Sequence, residues 1–140
     1  MEFRDTDAAG IVHFSAFFPM MEAAEHELLR SLGLEVMQPE KKAAGDGTDD
    51  VITWPRVAAG CDYQGAARFG DVLHIVVSIE HIGSKSIRYH IAIDRDGEPI
   101  ASGTISTVCC RLSPGGKLQS IPIPSEIRKK LAPLVSASNN

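Results

Sequence analysis

A length of 140 residues suits one domain, with a core of one sheet and one helix, and is too short for two independent lobes. With 44% hydrophobic and 23% charged residues the composition is that of a soluble globular protein, and the net charge of -4 at pH 7 argues against a general nucleic-acid binder, which would neutralise phosphates with a basic surface. No basic-then-apolar leader and no apolar run of membrane-spanning length stands in it, so neither secretion nor membrane insertion is expected.

Met1 to Arg4 reads as the end of a strand. After it, Asp5-Thr6-Asp7-Ala8-Ala9-Gly10-Ile11-Val12-His13-Phe14 places two carboxylates and a glycine on a short loop that runs into the longest helical segment. The spacing predicts that helix over Ser15 to Leu32, with Ser15 as N-cap, Pro19 in the first turn and Gly33 as the stop. At about 100° per residue, Phe17, Phe18, Met21, Ala24, Leu28, Leu29 and Leu32 share a face that is built to lie on a sheet, with Ala23, His26, Glu27 and Arg30 opposite. Glu25 falls within about 20° of Phe18 and Leu29 on the apolar side. Covered there, it needs a cationic partner, for which Arg56 and Arg68 are the candidates; a rotated helix would leave it in water instead.

Glu35 to Asp50 reads as an exposed connection with a helical turn around Pro39 to Ala44. Val51 to Val57 begins the sheet, Trp54-Pro55 marks an edge or a bulge, and Cys61 to Tyr63 continues the strand. Alternation is clearest over Leu73 to Glu80 and Ile87 to Asp94, the first two strands of a meander. Asp96-Gly97 signals a hairpin into a long strand over Ile100 to Leu112, which Pro114-Gly115-Gly116 ends. Ser125 to Leu134 forms a short helix, and Ser136 to Asn140 is a frayed tail. Cys61, Cys109 and Cys110 are odd in number and lack the paired spacing of a zinc site, so they are expected as small apolar thiols in a reducing, cytoplasmic setting, with no metal. One helix followed by long antiparallel strands is an α+β plan.

The chemistry concentrates before the helix. Asp7 there is either a cap or turn residue, or a nucleophile or general base beside helix-terminal amides able to stabilise an oxyanion. Phosphate-loop, nucleophile-elbow, dinucleotide-fold and His-Glu-x-x-His patterns do not occur, and His26, His74, His81 and His90 are scattered.

Four stretches together resemble the 4-hydroxybenzoyl-coenzyme A thioesterase family of hotdog-fold proteins: Asp5-Thr6-Asp7-Ala8-Ala9-Gly10-Ile11-Val12, the aromatic helix start with Met21-Glu22-Ala23-Ala24-Glu25, Phe69-Gly70-Asp71 before the long strands, and the Gly97 hairpin. The resemblance implies one hotdog domain over residues 1–140, an antiparallel sheet wrapped around one long central helix, with a first strand shorter than the family's or clipped. It also implies an acyl-coenzyme A thioesterase with Asp7 as nucleophile or general base and the backbone of Phe14 and Ser15 as the oxyanion site. Gly10, His13 and Glu22 become pocket or supporting residues, Asp5 a structural carboxylate, and Lys85 and Lys117 the coenzyme A phosphate contacts. Coenzyme A arrives as part of the substrate, so no separate cofactor is needed, and the site is completed in a homodimer or homotetramer without nucleic acid or membrane. Two other readings stay open: a hotdog acyl-thioester hydratase or dehydratase, and a non-catalytic acyl-coenzyme A binding module.

Overall fold

Two breaks in the strands, at Trp54-Pro55 and at Cys109, shape the sheets. The computed structural model describes residues 6–7, 10–35, 37–39 and 50–135; the N-terminal strand end, Asp5, the helical turn over residues 40–44 and the tail after 135 lie outside that set. In chain order the elements are a 3-10 turn (Phe14–Ala16), α1 (Phe17–Ser31), β1 (Gln38–Pro39), β2 (Val51–Thr53), β3 (Arg56–Tyr63), β4 (His74–Ile82), β5 (Ser86–Arg95), β6 (Glu98–Val108), β7 (Cys110–Leu112), β8 (Leu118–Ser120) and α2 (Ser125–Leu131), followed by a 3-10 turn at Ala132–Leu134.

These strands form two four-stranded antiparallel sheets, β3-β6-β5-β4 and β1-β2-β7-β8. The expected single strand over Val51 to Val57 is cut by Pro55, and the expected strand to Leu112 is cut at Cys109. Both cuts fall at the same level: Thr53 faces Cys110 in one sheet, Arg56 faces Thr107 in the other, and the Val108 N–H donates to the Pro55 carbonyl at 3.0 Å. One strand pair therefore passes from sheet to sheet through a shared bend, because Pro55 has no N–H to keep the ladder regular. Crossing the bend buries both Cys109 and Cys110, whereas a straight strand would turn them to opposite faces. All three cysteines are free, and Cys61 is half-buried. Pro39, expected in a helical turn, instead pairs with Val51.

Between β5 and β6, Asp96 (φ 51) and Gly97 (φ 84) both take left-handed backbone, as the two-residue hairpin signal requires. Alternation holds along β5, where Ile87, Tyr89, Ile91 and Ile93 are buried. In β4 it slips at a register shift between Ile79 and His81.

Helix α1 places Phe17, Met21, Glu25 and Leu29 against the sheet, with Phe18, Leu28 and Leu32 packed half-buried beside them. Full burial contributes roughly 1.5–3 kcal/mol for each large apolar side chain, which fixes the helix far more firmly than its propensity does. It lies close to the sheet because β6 carries Gly103 beneath it: a Cβ there would meet Met21 Sδ at 2.5 Å and the Gly60 carbonyl at 2.8 Å. The N-terminus differs from expectation. Ser15 sits inside the 3-10 turn, and the cap is the His13 ring, which accepts the Ser15 N–H.

Candidate active site

Asp7 stands at the root of a tight hairpin. Thr6 bridges Val12, the Asp7 N–H donates to the Ile11 carbonyl at 2.7 Å, and the Gly10 N–H donates to the Asp7 carbonyl at 3.0 Å. This closure needs a left-handed residue at its last position, which Gly10 supplies at φ 80. The side chain of Asp7 is exposed.

The outgoing arm of the hairpin is anchored to a second loop. Ile11 bridges Arg68, and the Val12 N–H donates to the Ala67 carbonyl at 2.7 Å. That loop is braced by Asp71, whose Oδ2 accepts the Arg68 N–H and an Arg95 Nη1–H, both at 2.7 Å. Arg95 also donates to the Ala66 carbonyl at 3.0 Å and to Glu98 Oε2 at 3.0 Å. The backbone bond from Arg68 and then the Arg95 bond hold the Asp71 carboxyl below its ordinary range. In sequence Phe69-Gly70-Asp71 is a lead-in to the strands; that its carboxylate ties the β5–β6 hairpin to the arm beside Asp7 depends on a contact between residues far apart in the chain.

From Val12 the chain enters the helix. His13 is half-buried, stacks on the Phe14 ring at 4.5 Å between centroids, and lies with Nδ1 3.2 Å from the Ser15 amide nitrogen and 2.7 Å from Ser15 Oγ. The Phe14 carbonyl accepts the Tyr63 O–H at 2.9 Å, and the Tyr63 ring also contacts Phe17 at 5.4 Å. The peptide between Phe14 and Ser15 is thus held on both sides, by Tyr63 from β3 and by His13. Of the two amides expected at an oxyanion site, that of Ser15 is already engaged. Tyr63 carried no signal in the sequence, since a tyrosine ending a strand reads as a packing residue.

Behind the helix start lies a cleft of ≈ 270 Å³ lined by Phe18, Pro19, Glu22, Arg56, Ala59 and Ile105. Glu22 lines this cleft, and its Oε2 is 3.4 Å from Arg56 Nε. Arg56 turns its other face to the buried Glu25, meeting the expectation of a cationic partner; Arg68 instead bridges Ile11. Burial, opposed by Arg56 and reinforced by Glu22, pushes the Glu25 carboxyl up to about 7.

Residues 1–131 match the sequence profile of the thioesterase-like superfamily. The chain belongs to that superfamily. It is 30% identical over 122 residues, 87% of each chain, to an esterase-like protein of Aquifex aeolicus. Over 109 residues, 78% of this chain and 76% of the other, it is 28% identical to a 1,4-dihydroxy-2-naphthoyl-CoA hydrolase of Synechococcus elongatus. Among solved structures, a gentisyl-coenzyme A thioesterase is 30% identical with a TM-score of 0.74, covering 94% of both chains. The enzyme is a thioester hydrolase with an α+β fold of antiparallel sheets and a helix, and the finer 4-hydroxybenzoyl assignment is not carried by these matches.

The two lysines expected at coenzyme A phosphates lie in turns of this thioesterase and do not line the cleft. Lys85 is exposed in the β4–β5 turn, which the Gly83 N–H closes on the Ser86 carbonyl at 2.8 Å. Arg128 of α2 supports that turn by donating to the carbonyls of Gly83 at 2.7 Å and Ser84 at 3.2 Å. Lys117 is exposed in the β7–β8 turn, where its carbonyl accepts the Ser113 N–H at 3.0 Å. Among the described residues no group of three His, Cys, Asp or Glu side chains is placed to hold a metal, and no helix is long and apolar enough to cross a membrane.

Proposed function

We propose that this thioesterase hydrolyses an acyl-coenzyme A to a free acid and coenzyme A, with Asp7 as the attacking or water-activating group. The observation that carries the reading is the hairpin of Asp7, whose outgoing arm, pinned to Ala67 and Arg68, leads in three residues to the 3-10 turn before α1. On this reading the short path brings the carboxylate toward the positive end of the 15-residue helix α1, where charge developing on a carbonyl oxygen would be stabilised. Phe14 offers the amide at that end, and the Phe18–Ala59 cleft behind it receives the acyl group. Lys85 and Lys117 meet the nucleotide phosphates, coenzyme A comes with the substrate, and the protein needs no cofactor of its own.

The proposed unit is at least a homodimer, in the hotdog arrangement with the sheet curled about α1. Strand β3 supports this, since among the described residues it pairs only with β6 and lies exposed over most of its length, an edge that a second copy can extend. A reducing, cytoplasmic setting suits the three free cysteines.

Thiol release from a panel of aliphatic and aromatic coenzyme A thioesters tests the activity, and Asp7→Asn tests the mechanism. The expected result is a fall in kcat of roughly a hundredfold or more with the fold intact. Turnover near wild type in Asp7→Asn would sink the assignment.

A further inference from the structure

The hairpin face that carries Asp7 also carries His13. Val12 is buried and bridges Thr6, so the alternation of an extended chain turns Asp7, Ile11 and His13 to the other side. Asp7 is directly across from Ile11, whose carbonyl accepts its N–H. His13, still extended at φ -67 and ψ 137, is then the diagonal neighbour of Asp7, with Cβ atoms roughly 7 Å apart.

The backbone also selects the ring's tautomer. The Ser15 N–H donates to Nδ1 at 3.2 Å, and Ser15 Oγ lies 2.7 Å from the same nitrogen. A neutral imidazole that accepts at Nδ1 carries its proton on Nε2. Tyr63, bonded to the Phe14 carbonyl on the far side of the same peptide, keeps the Ser15 N–H turned toward the ring, and stacking on Phe14 limits rotation of the imidazole.

From this juxtaposition we infer that His13 is a catalytic donor: its Nε2–H, in place of the engaged Ser15 amide, donates to the thioester carbonyl oxygen as that oxygen becomes an oxyanion. The inference rests on the reading of Asp7 given above. As Asp7, or a water that gives its proton to Asp7, adds to the carbonyl carbon, the π pair of the C=O bond moves onto oxygen and is held by the Nε2–H without proton transfer. Collapse then re-forms C=O, breaks the C–S bond and sends its electron pair out on the thiolate. Where Asp7 added directly, water next opens the resulting anhydride to the free acid.

Three variants of the full chain separate donation from capping, assayed on acetyl-, hexanoyl- and benzoyl-coenzyme A. His13→Ala is expected to lower kcat by roughly a hundredfold, as loss of one oxyanion donor does, with KM within about twofold of wild type. His13→Asn restores a good cap and the Tm without restoring the distal donor, so it stays as slow as alanine. His13→Gln, which carries an N–H near the Nε2 position, recovers to within about tenfold of wild type. A wild-type kcat in His13→Asn, or a glutamine variant as slow as alanine, would overturn the inference. Independently of any variant, the ¹⁵N spectrum of the His13 ring should show the neutral form protonated at Nε2, and a proton on Nδ1 would overturn it. If Asp7→Asn is inert while the His13 variants keep full kcat, this inference alone fails; if Asp7→Asn is active, the reading beneath it fails.

Discussion

Glu25 of α1 and Arg56 of β3 clasp the helix to the edge of the sheet. The carboxylate is 1% exposed, and Arg56 Nη2 bonds both of its oxygens, the Oε2 contact at 3.1 Å. The same guanidinium reaches the Trp54 carbonyl at 3.3 Å, Glu22 at 3.4 Å and His26 Nε2 at 3.2 Å. Arg56 from β3 opposes the effect of burial on Glu25 and Glu22 from its own helix adds to it, while His26 Nε2 lies 4.0 Å from its Oε1; the phenol of the buried Tyr89 of β5 is in turn pushed up by burial and then by the Glu25 charge.

Because burial outweighs the attraction of Arg56, the folded protein binds the Glu25 proton more tightly than the unfolded chain does, with the carboxyl raised from 4.5 to about 7. The stability this group contributes is complete below the unfolded value and is lost as pH rises through about 7, a change on the order of 3 kcal/mol. His26, lowered first by its own burial, acts in the opposite sense as pH falls, but it is common to wild type and variant. Glu25→Gln should thus gain on wild type between pH 5 and pH 8 in urea unfolding, while Glu25→Ala, which leaves a cavity and removes the hydrogen bonds to Arg56 Nη2, should be less stable than Gln throughout. Parallel curves for wild type and Gln would show that Glu25 does not titrate in this range.

Gly103 is the second control on the helix. Gly103→Ala places a methyl against Met21 and against the Gly60 carbonyl, and the backbone contact cannot be relieved by a rotamer change. A loss of about 1–3 kcal/mol is expected on unfolding, whereas Gly115→Ala, whose added methyl meets nothing within 4 Å, serves as the control. Equal stability of the two variants would mean that α1 stands off the sheet.

An open β3 edge predicts how assembly can be blocked. Val57 is 63% exposed and Ala58 is exposed beside it, so lysine at both positions leaves the subunit's core untouched while placing charge on the pairing edge. Sedimentation should show wild type as a dimer or larger and the double variant as monomer, with lower kcat if the site is shared. A double variant that remains dimeric would move the interface elsewhere.

The two turn lysines should affect binding more than chemistry. Lys85→Ala and Lys117→Ala are expected to raise KM for coenzyme A thioesters more than they lower kcat, since phosphate contacts lie far from the reacting carbon. A truncated thioester without the nucleotide should be indifferent to both. Equal damage with either substrate would mark the lysines as structural.

Much of the fold was legible in local pattern. The apolar period of α1, the alternation along β5 and the Asp96-Gly97 turn all come from residues a few positions apart, whereas the helical wheel put Glu25 on the apolar side but left its burial or exposure to the packing. The superfamily also was legible, though not the 4-hydroxybenzoyl branch of it, because Asp7, Gly10 and the helix start lie within one short stretch. Other features had no local signature. The meeting of the Cys109 break with the one that Trp54-Pro55 signals, the choice of Arg56 over Arg68, the Asp71–Arg95 brace and the Tyr63 bond to Phe14 each join positions distant in sequence. The N-cap was misplaced because serine in the first turn satisfies the local rule, whereas the folded backbone brings the His13 ring onto the Ser15 amide. Periodicity sets which face of an element is apolar; only packing decides which polar groups meet across elements, because a buried donor or acceptor takes the partner that the close approach of distant segments delivers.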